Sequence, residues 1–275
     1  MLPLSFTKYH GAGNDFVLLD FSEAALSLPM CQVARLLCDR RHGVGADGLL
    51  LLLPSQRADY RMQIFNADGS EPAMCGNGIR CLADYIFRQA AALQEVAIET
   101  LHGVLRCRKV AGGGIAVDLG PALVMHWPIQ IDADLVYVVN TGVPHAVIFV
   151  SDLDEVPVAV RGGRIRSHPH FAPHGVNVNF VSFLSDGTLA LRTYERGVEG
   201  ETLACGTGGA AAAFVAMKLH RLPSSLRVKT RSFLELHFNF PCNAQGQDTI
   251  EMIGSADLVF KGVIENILHF RHVKY

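Results

Sequence analysis

Residues 74–78 (Met-Cys-Gly-Asn-Gly) and 204–208 (Ala-Cys-Gly-Thr-Gly) each set a cysteine and a glycine-rich turn directly before an apolar, helix-prone run. Each is preceded by a strand-like stretch and a turn, 60–66 then 67–72 in the first half and 189–194 then 195–201 in the second. A chain that issues the same local instruction twice is constrained to build the same unit twice. Its 275 residues divide naturally into two domains of ordinary size.

The remaining pattern fits that division. Strand-like stretches fall at 4–9, 16–21, 49–53 and 60–66, with a helical pattern at about 29–41. A second helix, from 76 to about 91, carries Ile79, Leu82, Ala83, Ile86 and Phe87 at helical spacing, and strands follow at 96–100, 105–110 and 115–118. The last two are joined as a hairpin through Gly112-Gly113-Gly114. The second half repeats the order, with strands at 135–140 and 146–150, a helical or irregular piece near 153–164, strands at 176–183 and 189–194, and an Ala-rich helix at 208–219. This predicts an α+β fold of two pseudo-symmetric domains, each a strongly curved, mostly antiparallel sheet wrapped around a central helix. The boundary is expected at Gly120-Pro121, giving 1–120 with Cys75 and 121–275 with Cys205, and the active site in the cleft between them. The last strand, about 262–275, is expected to pack back on the first domain.

Seven cysteines without C-x-x-C spacing, in a chain whose start lacks a basic flank, point to reduced thiols in a cytoplasmic protein rather than a disulfide framework or zinc site. A formal net charge of -2 provides no single-sign field for nucleic acid, and no apolar run is long enough to span a bilayer. A small-molecule partner is expected, with no nucleic acid and no membrane.

Cys75 and Cys205 differ from the other five because each sits at a helix start followed by glycine. There the unpaired backbone N–H groups and the positive end of the helix dipole favour a thiolate, and Gly76, Asn77, Gly206 and Thr207 can turn their amides on a bound carboxylate. Two such thiols suit the inversion of a carbon beside a carboxylate, which requires removal of a proton from one face and delivery to the other. Cys81, six positions past Cys75 on the same helix, faces elsewhere and reads as core. Gly43 to Gly48 matches G-x-G-x-x-G, but a helix precedes it and a strand follows, the reverse of a dinucleotide site, so it reads as a tight turn. His168, His170 and His174 crowd a proline-rich loop with no carboxylate or thiol nearby in sequence, and read as surface or loop packing; no metal is expected. His145 opens a strand and is a candidate for assisting proton traffic.

The stretches 9–16, 43–48, 65–71, 74–81, 194–197 and 204–208 together resemble, in order and spacing, the signature blocks of the diaminopimelate epimerase family, over residues 4 to about 264. The resemblance implies a cofactor-free epimerase that interconverts LL- and meso-2,6-diaminopimelate in lysine and peptidoglycan synthesis, without pyridoxal phosphate and as a homodimer. It implies Cys75 and Cys205 as the acid–base pair, Glu195 and His145 as their assistants, and Gly76-Asn77 and Gly206-Thr207 as the carboxylate cradle. Asn14, Asn66, Asn177, Glu195 and Arg196 are implied as substrate contacts, with Arg196 the bidentate partner of the distal carboxylate.

Val143 stands where the family often has Asn, Gly48 where some members have Gln, and one extra residue lies between Glu195 and Cys205. Loss of a polar contact at the distal end predicts looser substrate choice, extending to single-headed acids such as glutamate. The alternatives are a broader amino-acid, proline or hydroxyproline racemase of the same two-cysteine design, or a non-epimerase isomerase or binding protein on that scaffold. A cysteine hydrolase would leave the second thiol unexplained.

Overall fold

The computed structural model describes residues 3–21, 28–72, 74–232 and 235–265. By its internal contacts the chain divides into one unit of Met1–Val117 with Gly254–Tyr275 and another of Asp118–Ile253. The first runs β1 (Leu4–Gly11), β2 (Asn14–Asp20), α1 (Met30–Cys38), β3 (Gly48–Leu53), β4 (Tyr60–Asn66), α2 (Gly76–Gln89), β5 (Glu95–Thr100), β6 (Gly103–Lys109) and β7 (Ile115–Pro121). The second runs β8 (Leu123–Ile131), β9 (Asp134–Asn140), β10 (Pro144–Phe149), α3 (Val158–Arg166), a 3₁₀ turn at Pro169–Phe171, β11 (Asn177–Phe183), β12 (Leu189–Glu195) and β13 (Gly200–Thr202). It continues through α4 (Gly206–His220), β14 (Ser225–Lys229), β15 (Glu235–Asn239) and β16 (Thr249–Gly254), after which β17 (Asp257–Ile264) ends the described chain.

The two units share one pairing plan. In the first, β1–β2 is an antiparallel hairpin, β2 lies parallel to β3 across the α1 crossover, β3–β4 is antiparallel and β4 lies parallel to β5 across α2. In the second, β9–β10 is antiparallel, β10 lies parallel to β11 across α3, β11–β12 is antiparallel and β12 lies parallel to β14 across α4. Each parallel pair needs a long crossover, which the helices supply, and most other pairings are antiparallel.

Both cysteine helices are central. α2 packs against β1, β2, β3, β4, β6 and β17, and α4 against β9, β10, β11, β12, β14 and β15. α4 is buried along its whole length from Gly208 to Met217. Its run of alanines suits this place, since small side chains let strands close in from every side while retaining high helix propensity. α2 buries the expected Ile79, Leu82, Ala83, Ile86 and Phe87, and Arg80 as well.

Four features depart from sequence expectation. The expected boundary at Gly120-Pro121 falls inside β7, where the first unit ends at Val117. β8 is unforeseen because Pro128 and two register shifts break its alternation and Leu123, Val124 and Met125 lie exposed. No element is expected between the Ala-rich helix and the expected last strand, yet β14 to β16 lie there. The return to the first unit begins at Gly254, earlier than about 262, with β17 antiparallel to β1; residues 266–275 of the expected last strand lie outside the described residues.

Candidate active site

Each cysteine is the N-cap of its helix. Cys75 has extended backbone angles (φ -138, ψ 116), and its Sγ accepts from the Gly78 N–H at 3.5 Å. Cys205 repeats the arrangement (φ -127, ψ 108), with Sγ accepting from the Gly208 N–H at 3.4 Å. The cap bond is better made by a thiolate than by a thiol, so the fold itself favours ionisation here. Because the sulfur takes the third amide, the N–H groups of residues 76–77 and 206–207 have no acceptor within their helices and are available to an anion.

In the first unit the strand ends carry the polar residues to this turn. Gly48 pairs with both Phe16 and Asn66, which brings the starts of β2 and β3 beside the end of β4. Asn14 Nδ2 donates to Asp47 Oδ2 at 3.4 Å, while Asn14 Oδ1 is buried with no protein partner among the described residues. Asn66 Nδ2 donates to Ser70 Oγ at 2.9 Å. Gly11, opposite Asn14 in the hairpin, lies so close to α2 that a Cβ there would come within 3.1 Å of the Asn77 carbonyl. The turn of the β1–β2 hairpin that carries Asn14 thus lies against the first turn of α2, beside Asn77, while Asn66 ends β4, with β2 and β3 between it and β1. The Asn77 side chain points inward and accepts from Arg80 Nη2 at 2.8 Å, so its backbone rather than its amide faces the cradle.

In the second unit a hydrogen-bonded chain runs into Cys205. Thr193 Oγ1 donates to Asn179 Oδ1 at 3.0 Å, which fixes the amide so that Asn179 Nδ2 faces His145 Nδ1 at 3.0 Å. With Nδ1 accepting, Nε2 carries the proton and donates to Thr207 Oγ1 at 3.0 Å, and Thr207 Oγ1 lies 3.6 Å from Cys205 Sγ. Thr141 Oγ1 holds the Thr207 carbonyl at 2.8 Å. Asn177 is in register with His145, donates to the Pro144 carbonyl at 3.3 Å and accepts from the Arg196 N–H at 2.9 Å. The Arg196 guanidinium is steadied by the carbonyls of His174 (3.2 Å) and Gly175 (3.4 Å). Glu195 accepts from Thr202 Oγ1 at 2.9 Å, and burial raises its pKa against that bond.

The family model for diaminopimelate epimerase matches residues 6–125 and 137–259. The chain belongs to the diaminopimelate epimerase family. A diaminopimelate epimerase of Archaeoglobus fulgidus is 41% identical over 283 residues, covering 96% of this chain and 97% of the relative. One of Acidovorax ebreus is 39% identical, covering 96% and 98%. Among solved structures, a PhzF-family phenazine biosynthesis protein of Bacillus anthracis superposes with a TM-score of 0.70 at 17% identity, over 96% of this chain and 99% of that one. A probable proline racemase of Agrobacterium radiobacter also gives 0.70, at 16% identity, over 95% and 92%. At these identities the likeness is one of fold.

Sequence reasoning passed over Asn179, Thr193 and Thr141. The signal for Asn179 was its spacing of two from Asn177, which puts both on one face of β11. Cys81 is fully buried as expected, and burial pushes its thiol pKa well up. Gly43 to Gly48 closes the end of α1, with the Gly43 N–H on the Asp39 carbonyl at 2.9 Å, and feeds β3. Among the described residues no group of three or more His, Cys, Asp and Glu is assembled that could hold a metal ion, and no helix is long and apolar enough to cross a membrane. His170 instead meets His126, Nε2 to Nε2 at 3.3 Å.

Complete burial, aided by the charge of Arg196, lowers the His145 pKa from 6.5 to about 3. The folded state therefore refuses a proton that the unfolded chain accepts, and between those two values stability rises with pH. Thermal unfolding from about pH 7 to about pH 4 is expected to show the wild type losing stability relative to His145→Gln; a constant difference between the two would contradict a neutral His145.

Proposed function

We propose that this protein interconverts LL- and meso-2,6-diaminopimelate by a two-base mechanism, with Cys75 and Cys205 on opposite faces of the α-carbon. The thiolate takes the α-proton, the other thiol returns one to the opposite face, and the reverse reaction exchanges their roles. The amides of Gly76-Asn77 and Gly206-Thr207 receive the negative charge that spreads onto the carboxylate in the transition state. Fixed donors of this kind are commonly worth several kcal/mol. Asn14, Asn66 and Asn177 contact the amino-acid ends, the Asn14 Oδ1 being a buried acceptor suited to an ammonium group. Arg196 pairs with the distal carboxylate, and Glu195 and His145 assist the ammonium group and the Cys205 side. The reaction needs no pyridoxal phosphate and no metal. The same reading makes the protein a cytoplasmic homodimer serving lysine and peptidoglycan synthesis.

The observation that carries this reading is the pair of N-cap thiols, each with two amides unclaimed by its helix. Incubation of LL-diaminopimelate in D₂O without added coenzyme is expected to give α-deuteration together with the meso isomer. Dependence on added pyridoxal phosphate, or exchange without inversion, would overturn it. Val143 favours a second, broader reading: L-glutamate in the same assay is expected to acquire deuterium slowly, and an unlabelled product would restrict the enzyme to two-headed substrates.

A further inference from the structure

The glycine-rich stretch 43–48 closes the end of α1, and its acidic residue has a second place. Because β2 and β3 run parallel with Phe16 opposite Gly48, Asp47 enters β3 beside Asn14 and Asp15 at the start of β2. The Asp15 N–H donates to Asp47 Oδ2 at 3.2 Å, and the Asp47 N–H donates to Asp15 Oδ1 at 3.0 Å. Two cations tie the carboxylates together. Arg40, just past α1, donates to Asp15 Oδ2 from Nη1 at 3.2 Å and to Asp15 Oδ1 from Nη2 at 2.7 Å, and Nη2 also donates to Asp47 Oδ1 at 2.8 Å. Lys8 on β1, itself buried, donates to Asp15 Oδ2 at 2.7 Å and to the Gly45 carbonyl.

This cluster presents Asn14 with a carboxylate oxygen. Asn14 Nδ2 donates to Asp47 Oδ2 at 3.4 Å. A carboxylate paired with an arginine only accepts, so the Asn14 amide has one workable orientation, with nitrogen towards Asp47 and oxygen away from it. The reverse would set oxygen against oxygen. The orientation taken leaves Asn14 Oδ1 as a buried acceptor with no protein partner among the described residues. Folded proteins leave few buried polar atoms unpaired, and this one is held in that state by a network of ion pairs behind it. Asn66 is anchored in a related way. Ser70 Oγ gives its single proton to Asp68 Oδ1 at 2.6 Å, so it accepts from Asn66 Nδ2 at 2.9 Å, and Asn66 too is held by its nitrogen.

We infer, resting on the reading of Asn14 as a substrate contact, that Asp47 anchored by Arg40 is a positioning residue that turns the Asn14 oxygen to the substrate and so reserves this contact for an ammonium group. An ammonium donates and never accepts. The oxygen turned outward pairs with it, whereas the amide NH₂ in the same place would oppose it. The ammonium keeps its charge while the α-carbon loses and regains a proton, so the contact is equally strong before and during the reaction. Its loss therefore moves KM rather than kcat.

The test is a double-mutant cycle of Asp47→Asn with Asn14→Ala, read as KM and kcat for LL-diaminopimelate, as calorimetric Kd for the same compound and as melting temperature. With Arg40 still donating to one oxygen, Asp47→Asn sets an NH₂ opposite Asn14 and draws the Asn14 oxygen round, so that a donor meets the ammonium. KM and Kd are expected to rise about tenfold, with kcat held within about twofold, as befits the loss of a hydrogen bond to a charged group. In the Asn14→Ala background the same substitution is expected to change KM and Kd by less than about twofold. An equal rise in both backgrounds overturns the inference, as does an Asp47→Asn protein that binds normally while Asn14→Ala binds weakly. Loss of the bond from the Asp15 N–H lowers the melting temperature alike in both backgrounds and so cannot imitate the binding result. Should Asp47→Asn fail to fold, Arg40→Met, at an exposed side chain, enters the cycle in its place and must likewise act only when Asn14 is present. If Asn14→Ala leaves KM and Kd unchanged, the contact and this inference fall together while the D₂O result stands. If the D₂O assay fails, Kd still decides the role of Asp47, because binding requires no turnover.

Discussion

Cys75→Ser and Cys205→Ser are each expected to lower inversion of the α-carbon by about 10³-fold or more while leaving the melting temperature unchanged or slightly raised. The two readouts separate because serine is among the best N-cap residues, so the bond from Gly78 or Gly208 is kept. What is lost is a thiol, which gives up its proton far more readily than a hydroxyl, and positioned acid–base groups typically contribute 10²–10⁴-fold. Each variant retains one thiol, which can remove a proton and return a deuteron only on its own side. In D₂O each is therefore expected to label a single stereoisomer with retention, the two variants labelling opposite isomers. A variant that still inverts, or two variants that label the same isomer, would remove the two-base mechanism.

The two N-cap cysteines are legible in the sequence because they are local features. A cysteine followed by Gly-Asn-Gly or Gly-Thr-Gly before an apolar run carries its cap geometry in neighbouring residues, and Cys75 and Cys205 accordingly take the same backbone angles to within about 11°. The supports were not legible because they depend on register between distant strands. Asn179 reaches His145 only because β10 and β11 run parallel with His145 opposite Asn177, and Thr193 reaches Asn179 only because it pairs with it across β12. Arg80, fully buried on α2, is likewise announced by no local pattern in the helix. The early start of β17 escaped for the same reason, since its place is set by β1, more than 200 positions away.

Gly208→Ala is the substitution expected to separate the two half-sites most sharply. A Cβ at Gly208 would overlap Asn179 Oδ1 and stand 3.2 Å from Cys205 Sγ. Asn179 yields only by giving up bonds, because Thr193, His145 and the Ala146 carbonyl all hold its amide. Overpacking of this kind costs about 1–3 kcal/mol, against roughly 1 kcal/mol gained from replacing glycine by alanine in a helix. The larger loss is expected in catalysis: displacing Asn179 releases His145, which releases Thr207 from its place beside the thiol, and kcat should fall by at least about tenfold with a smaller change in KM. At the matching position, Gly78→Ala meets Leu50 Cδ2 at 2.9 Å and Ile64 Cδ1 at 3.4 Å, both ends of flexible side chains. It should therefore be close to neutral in stability and leave the Cys75 turn in place. Equal activity of Gly208→Ala and Gly78→Ala would show that the path from Thr193 to Thr207 maintains the fold without positioning Cys205.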